Sequence, residues 1–331
     1  MSARENDDRE EREERQAFVN TTADIHVSVL ADEVIAGIAP RSGGRYIDAT
    51  LGLGGHTARM LEASSPDGRV LGIDRDPEAI ALASARLQPF GERVTIVEGH
   101  FSEIEAHAAR HGFLPADGVI ADLGISSLQL DKGERGFSFS HDGPLDMRMG
   151  PVVGETAEAL IARLDVDALA EILRSYGEQD RPKAVARAIL RARDEGALSS
   201  TKDLARVVEG AVGRRPGTSV HPATRVFQAI RIAVNRELVE LERFLDGLER
   251  LVVPGGRVAV IAFHSLEDRL VKRAFEGPKA EGLPHKLPVA LPTATSPWVR
   301  VSRRPVTPSA AEVERNPRSR SAKLRVAERV A

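Results

Sequence analysis

Three acids stand at the ends of short apolar runs, and the first is followed at once by glycines. Tyr46-Ile47-Asp48 leads into Ala-Thr-Leu-Gly52-Leu-Gly54-Gly55-His56, Val70-Leu-Gly-Ile73 ends in Asp74, and Val119-Ile-Ala121 ends in Asp122. An acid at a strand end followed by a glycine turn makes a cradle in which backbone amides reach a nucleotide-like ligand. Asp74, about 20 residues beyond the glycines, is placed to accept both hydrogen bonds of a ribose diol. The G-x-G-x-x-G/A spacing of dinucleotide sites fails at its sixth position, where Thr57 stands. An acid followed by a looser turn suits S-adenosylmethionine better, although Asp74 alone would serve either cofactor.

These residues need a frame. The pattern alternates strand and helix over Arg45–Asp48, Thr57–Ala63, Val70–Asp74, Pro77–Leu87, Val94–Glu98, Ser102–His111 and Asp117–Asp122. Such alternation predicts a parallel, doubly wound sheet, with ligands at the strand carboxyl ends. Asp48, Asp74, Gly99-His100-Phe101 and Asp122 all fall there.

After Asp122 the alternation stops. The glycine-rich stretch Lys132–Gly150 carries Phe137, Phe139 and Met147 and reads as a lid or substrate loop. Amphipathic helices are expected over Asp167–Tyr176, Pro182–Glu195 and, behind a Ser200 cap, Thr201–Val212. A long helix from His221 through Arg250, a Pro254-Gly-Gly256 turn and a strand Val258–Phe263 resume the first pattern. His264 at its end suits substrate contact and a packing role equally. His107 and His111, four apart, have metal-ligand spacing but no third ligand nearby, so they read as a solvated helix face and no metal is expected.

The chain of 331 residues is 42% hydrophobic and has no cysteine, which removes disulfides, thiolate catalysis and Cys-ligated zinc. No apolar run approaches a membrane span, so a cytoplasmic location is expected. Net charge is −3, unevenly spread. Residues 4–15 hold four arginines against seven acids and read as a disordered tail. From Arg300 to Arg329, nine Lys or Arg face three Glu, which reads as a basic arm with Arg318, Arg320 and Lys323 set for phosphate contact.

The motifs YIDATLGLGGH, GIDRDPEAI, GHFSEI, ADLGISSLQLD, RGFSF with DGPLDMRM, HPATRVFQAIRIAVN, AFHSLEDRLVK and NPRSRSAKLR occur in this order between about residues 26 and 326. In them the chain resembles the bacterial 16S rRNA (cytosine-N4)-methyltransferase family, which modifies a cytosine in the decoding centre (P site) of the small ribosomal subunit. It differs where the family usually has proline (here Ser28) and serine (here Ala262). The resemblance implies a class I S-adenosylmethionine-dependent methyltransferase fold, a Rossmann-like doubly wound sheet with an inserted all-α subdomain. Its expected bounds are a charged tail at 1–22, a discontinuous methyltransferase domain at 23–135 and 222–331, and a helical insert at 136–221, which would clamp RNA while a base is swung out.

The resemblance further implies S-adenosyl-L-methionine as cofactor, contacted by Gly54, Gly55, His56, Asp74, Phe101 (beside the adenine), Asp122 and Gln129, and 16S rRNA as partner. Methyl transfer to an exocyclic amine is an in-line displacement needing the reacting atoms about 3 Å apart. Acceptors on the amine hydrogens localise its lone pair and take the proton. Asp122 fits that catalytic role, with a carbonyl from Leu123 to Ser126 beside it, or else binds the cofactor's amine. DNA amine methylases carry D/N-P-P-aromatic here; this chain reads Asp-Leu-Gly-Ile-Ser, which leaves Phe137, Phe139 or Phe263 to stack on the cytosine. An NAD-dependent oxidoreductase and a non-catalytic rRNA-binding assembly factor are the rival readings.

Overall fold

The apolar runs ending in Asp48, Asp74 and Asp122 are strands of one seven-stranded sheet in the computed structural model, which describes residues 28–150, 154–213, 221–277 and 296–330. The strands are β1 (Arg45–Asp48), β2 (Arg69–Asp74), β3 (Val94–Glu98), β4 (Ala116–Asp122), β5 (Val252–Ala262), β6 (Trp298–Arg300) and β7 (Lys323–Arg329), in the spatial order β3-β2-β1-β4-β5-β7-β6. β1 to β5 run parallel, and β7 joins antiparallel to both β5 and β6. The order reverses between β1 and β4, and the crevice at such a switch point is where open α/β sheets hold ligands.

The chain packs as two units, one comprising residues up to Gly124 and from Glu240 onward, the other Ile125–Val239. In the first, both sheet faces are covered. Ile47, Leu71, Val119, Val258 and Val260 pack on one side with Phe244, Leu248 and Phe275, while Tyr46, Val70, Ile120, Ala259 and Ile261 pack on the other with Leu30, Val34, Met60 and Leu87. Burial on both faces explains why the parallel strands read as continuous apolar runs rather than alternating ones. Among the described residues, no helix is long and apolar enough to cross a membrane.

The second unit contains the helices Ala157–Arg163, Val166–Gly177, Pro182–Asp194, Thr201–Val212 and Ala223–Asn235. Ser200 caps the fourth by accepting from Asp203 N, as its sequence predicts. This unit extends beyond the expected 136–221 at both ends. The reason is its core, in which Phe137, Leu145, Met147 and Met149 pack with Val226, Phe227 and Ile230 among the helices. The loop expected to be a lid or substrate loop contributes those four residues to that core. Asn235 fixes it, donating to Met147 O at 2.7 Å and accepting from Met149 N at 2.9 Å.

Two further expectations change. The single helix from His221 to Arg250 is two, Ala223–Asn235 and Glu237–Leu251, separated by Arg236 in the left-handed region at φ 53°. The basic segment is not an arm, because Lys323–Arg329 is an internal strand of the sheet. Arg325 is buried on Asp268 at 2.6 Å, with Lys323 Nζ 3.5 Å from the same carboxylate, and Arg300 pairs with Glu276 at 2.7 Å. Arg303, Arg304, Arg315, Arg318 and Arg320 remain exposed. The acidic tail lies outside the described residues.

Candidate active site

The glycine turn folds around Asp74. The Gly52 amide donates to Asp74 Oδ2 at 2.7 Å, and the Asp76 amide to Oδ1 at 2.9 Å. Gly52 and Gly54 both adopt positive φ, at 51° and 75°, conformations that glycine takes without steric cost. Burial pushes the Asp74 carboxyl above its ordinary range, against the two amides, which favour its charged form. Each oxygen keeps a lone pair beyond the amide it accepts, so the carboxylate can still receive a diol.

Gly54 is the N-cap of the helix Gly55–Ala63, which no side chain caps. The first amides of a helix have no intrahelical acceptor, so this start offers donors and the positive end of a dipole to a carboxylate. The face of Gly55 that would carry a Cβ is filled by Ser28 Oγ. Ser28, a departure from the family pattern, thus sits against the turn.

Between β1 and β4 lies a buried polar cluster in which Asp48, His56 and Asp122 are accompanied by Thr50 and Thr57, to which the sequence reading gave no role in the site. Thr57, the residue that broke the dinucleotide spacing, donates from Oγ1 to Asp48 Oδ2 at 2.7 Å. Thr50 N donates to Asp48 Oδ1 at 3.2 Å, and Thr50 Oγ1 accepts the Asp122 amide at 2.6 Å. His56 is 6% exposed, and its Nε2 is 3.6 Å from Asp122 Oδ2. Neither ring nitrogen of His56 nor Asp122 Oδ1 has a hydrogen-bond partner, although all three are hidden from solvent. Burial pushes the Asp48 carboxyl up to about 6, opposed by His56, Thr57 and Thr50 and reinforced by Asp122. Buried polar atoms without partners cost free energy, which marks this cluster as a place prepared for a polar ligand. A threonine two residues after a strand-end acid was the available signal for Thr50.

At the end of β3, Gly99 N donates to Asp74 O at 2.8 Å, tying the two strand ends together. Phe101 is half-buried, edge-on to Phe244 at 5.6 Å and tilted against His100 at 4.7 Å. His100 Nδ1 is 2.9 Å from Ser102 Oγ, which donates to Glu240 at 2.6 Å, and Arg75 lies 3.4 Å from His100 Nε2. Burial first, then Arg75, lowers the His100 pKa to about 4. His107 is not on a solvated face. It is buried against Gly99, whose missing Cβ leaves room for the ring, and His111 lies just beyond the helix end at Arg110.

His264 is the N-cap of the helix Ser265–Glu276, its Nδ1 accepting from Glu267 N at 3.4 Å while Glu267 Oε2 accepts the His264 amide at 3.2 Å and the Phe263 amide at 2.8 Å. That capping box gives His264 a structural role. Gln129 belongs to the second unit, where Oε1 accepts from Ser126 N at 3.1 Å and Nε2 donates to Met149 O at 3.0 Å. Phe137 is 6% exposed in that unit's core, and Phe139 packs on His221 at 4.7 Å and Phe227 at 5.1 Å.

Asp48, His56, Asp74, Phe101 and Asp122 thus lie at the carboxyl ends of adjacent parallel strands or just beyond them, beside an uncapped helix start. Diol acceptor, helix-start amide donors and aromatic ring suit the ribose, methionine carboxylate and adenine of S-adenosylmethionine. Among sequences, a ribosomal RNA small subunit methyltransferase H of Sorangium cellulosum is 52% identical over 305 residues, covering 92% of this chain and 91% of the relative. One from Symbiobacterium thermophilum is 48% identical over 304 residues, covering 91% and 95%. An rRNA methylase structure from Streptococcus thermophilus is similar over 91% of this chain and 94% of its own, at 13% identity and a TM-score of 0.37. Residues 23–330 match the MraW methylase family, so the chain belongs to that family and is an S-adenosylmethionine-dependent methyltransferase.

Proposed function

We propose that the enzyme methylates the exocyclic N4 of a cytosine in the decoding centre of 16S rRNA within the small ribosomal subunit, in the cytoplasm. The observation that carries this reading is Asp122: an acid at the end of β4, beside the sheet's switch point, with one carboxylate oxygen lacking any partner. The relatives' names supply the substrate, and the sequence resemblance supplies the atom.

When bound, S-adenosylmethionine supplies an electrophilic methyl group on a sulfonium. Asp74 would hold the ribose diol, the amides of Gly55 and His56 would hold the carboxylate, and Phe101 would serve the adenine. Gln129 is assigned to the cofactor from the resemblance alone. Asp122 would accept a hydrogen bond from the target amine, draw its lone pair out of conjugation with the ring, and take the proton as the N–C bond forms and the methyl–sulfur bond breaks, the electron pair staying on the thioether sulfur of the departing S-adenosylhomocysteine. The buried His56 beside it limits the directions the Asp122 carboxylate can take. Exposed Arg303, Arg304, Arg315, Arg318 and Arg320 meet phosphates, so binding weakens steeply with salt.

The test is incubation of the enzyme with labelled S-adenosylmethionine and unmodified small subunits, followed by mass mapping of the labelled nucleotide. Label on N4 of one decoding-centre cytosine is the expected result. Label elsewhere, or none, overturns the reading.

A further inference from the structure

A pyrimidine presented to Asp122 needs a flat apolar surface that fixes its plane, and the positions that supply one in the D/N-P-P-aromatic motif of DNA amine methylases are here Leu123-Gly124-Ile125. The structure supplies a ring from the neighbouring strand. Asp122 pairs with Ile261 across β4 and β5, and Leu123 N donates to Ile261 O at 3.0 Å. Continuing that parallel register places Gly124 opposite Phe263. The contact is direct: a Cβ on Gly124 would lie 3.5 Å from Phe263 Cδ2.

Side chains two apart on a strand share a face. Ile120 and Ile261 pack on the same side of the sheet, and Phe263 packs against that same cluster, so Asp122 and Phe263 share one face at the strand ends. Gly124 has φ 99°, a conformation that disfavours any side chain, and with hydrogen in place of Cβ the inner edge of the ring stays clear. The ring is half-buried, and its backbone is held by the bond from Phe263 N to Glu267.

Distance separates Phe263 from the other candidates. Strands lie about 4.8 Å apart, so a ring just past the end of the strand next to Asp122 can support a base whose amine meets the carboxylate, whereas Phe101, just beyond β3, is three strands away. Phe137 and Phe139 are engaged in the core of the second unit. We propose that Phe263 is the surface on which the target pyrimidine stacks, and that Gly124 keeps that surface open. The proposal rests on the methyl-transfer reading above and names the residue that orients its substrate.

The test compares full-length wild type, Phe263→Leu and Phe263→Tyr on unmodified small subunits with labelled cofactor, with calorimetry for S-adenosylmethionine binding and thermal melting beside the kinetics. Phe263→Leu should lose about 10- to 100-fold in kcat/KM for the subunit, with cofactor affinity and melting temperature nearly unchanged, and Phe263→Tyr should restore most of the rate. Activity of Phe263→Leu within threefold of wild type overturns the proposal, as does a parallel loss of cofactor binding or failure of Phe263→Tyr to recover the rate. If wild type itself transfers no methyl to the subunit, the functional reading has failed and the stacking role falls with it, an outcome told apart by the wild-type measurement alone.

Discussion

Thr50 accepts the Asp122 amide through Oγ1 at 2.6 Å, while its own amide donates to Asp48 at 3.2 Å. One side chain in the turn after β1 thereby spaces the acid of β1 from the acid of β4. Because Thr50 satisfies the backbone of Asp122 and leaves Oδ1 without a partner, the side chain and not the main chain is available for chemistry.

Replacing Asp122 with Asn keeps shape and removes the proton acceptor. If Asp122 takes the amine proton, kcat should fall by roughly 100-fold or more, with S-adenosylmethionine affinity changing little. Equilibrium binding of cofactor beside single-turnover methylation separates the two effects. Lost cofactor binding would instead make Asp122 a ligand of the methionine amine.

Asp48 costs stability above about pH 6. Its native pKa of about 6 lies above the ordinary 3.8, so between those values the folded state holds more protons than the unfolded state, and stability contributed by this group falls as pH rises. The full cost is on the order of 3 kcal/mol. Asp48→Asn keeps an acceptor for Thr57 and should gain melting temperature relative to wild type as pH goes from 4.5 to 7. A constant difference across that range would contradict the buried-acid picture.

His100 acts in the opposite sense. With its native pKa lowered to about 4 from an ordinary 6.5, the unfolded state holds more protons in that window, so the contribution of a neutral His100 is complete above about pH 6.5 and is lost as pH falls toward 4. His100→Gln should flatten the acid limb of a denaturation-midpoint profile between pH 6.5 and 4.5.

Two cations from the same segment should behave differently. Arg325 is buried against Asp268, and Arg325→Ala leaves a nearly buried carboxylate with only Lys323 beside it, which should cost about 3 kcal/mol in chemical denaturation. Arg320 is exposed, and Arg320→Ala should leave stability within about 0.5 kcal/mol. Its effect belongs in RNA binding, where it should reduce the salt slope by about 1.

Much of the frame was legible because the parallel strands are short, apolar and ended by acids. β1 and β3 lie where the pattern put them, and β2 and β4 each begin one residue earlier. β7 escaped because Lys323-Leu-Arg-Val-Ala-Glu-Arg329 alternates charge with small apolar residues and looks like a solvated segment. Its charges are neutralised by Asp268 and Glu328 by Arg257, partners distant in the chain that no local pattern reveals. The helix break at Arg236 was hidden for another reason, since an arginine in the left-handed region carries none of the glycine signal expected at a helix end. Within the site, the acids and glycines were visible singly, whereas the closeness of His56 to Asp122 depends on how a helix starts after β1 and how β4 lies beside it.

The antiparallel strand Lys323–Arg329 lies between β5 and β6, so during synthesis β5 stands with a bare outer edge until the chain has been made through Arg329. An open edge of that kind recruits other strands. From the completion of Ala262 to the arrival of β7, the outer edge of β5 is therefore open to pairing with a neighbouring chain.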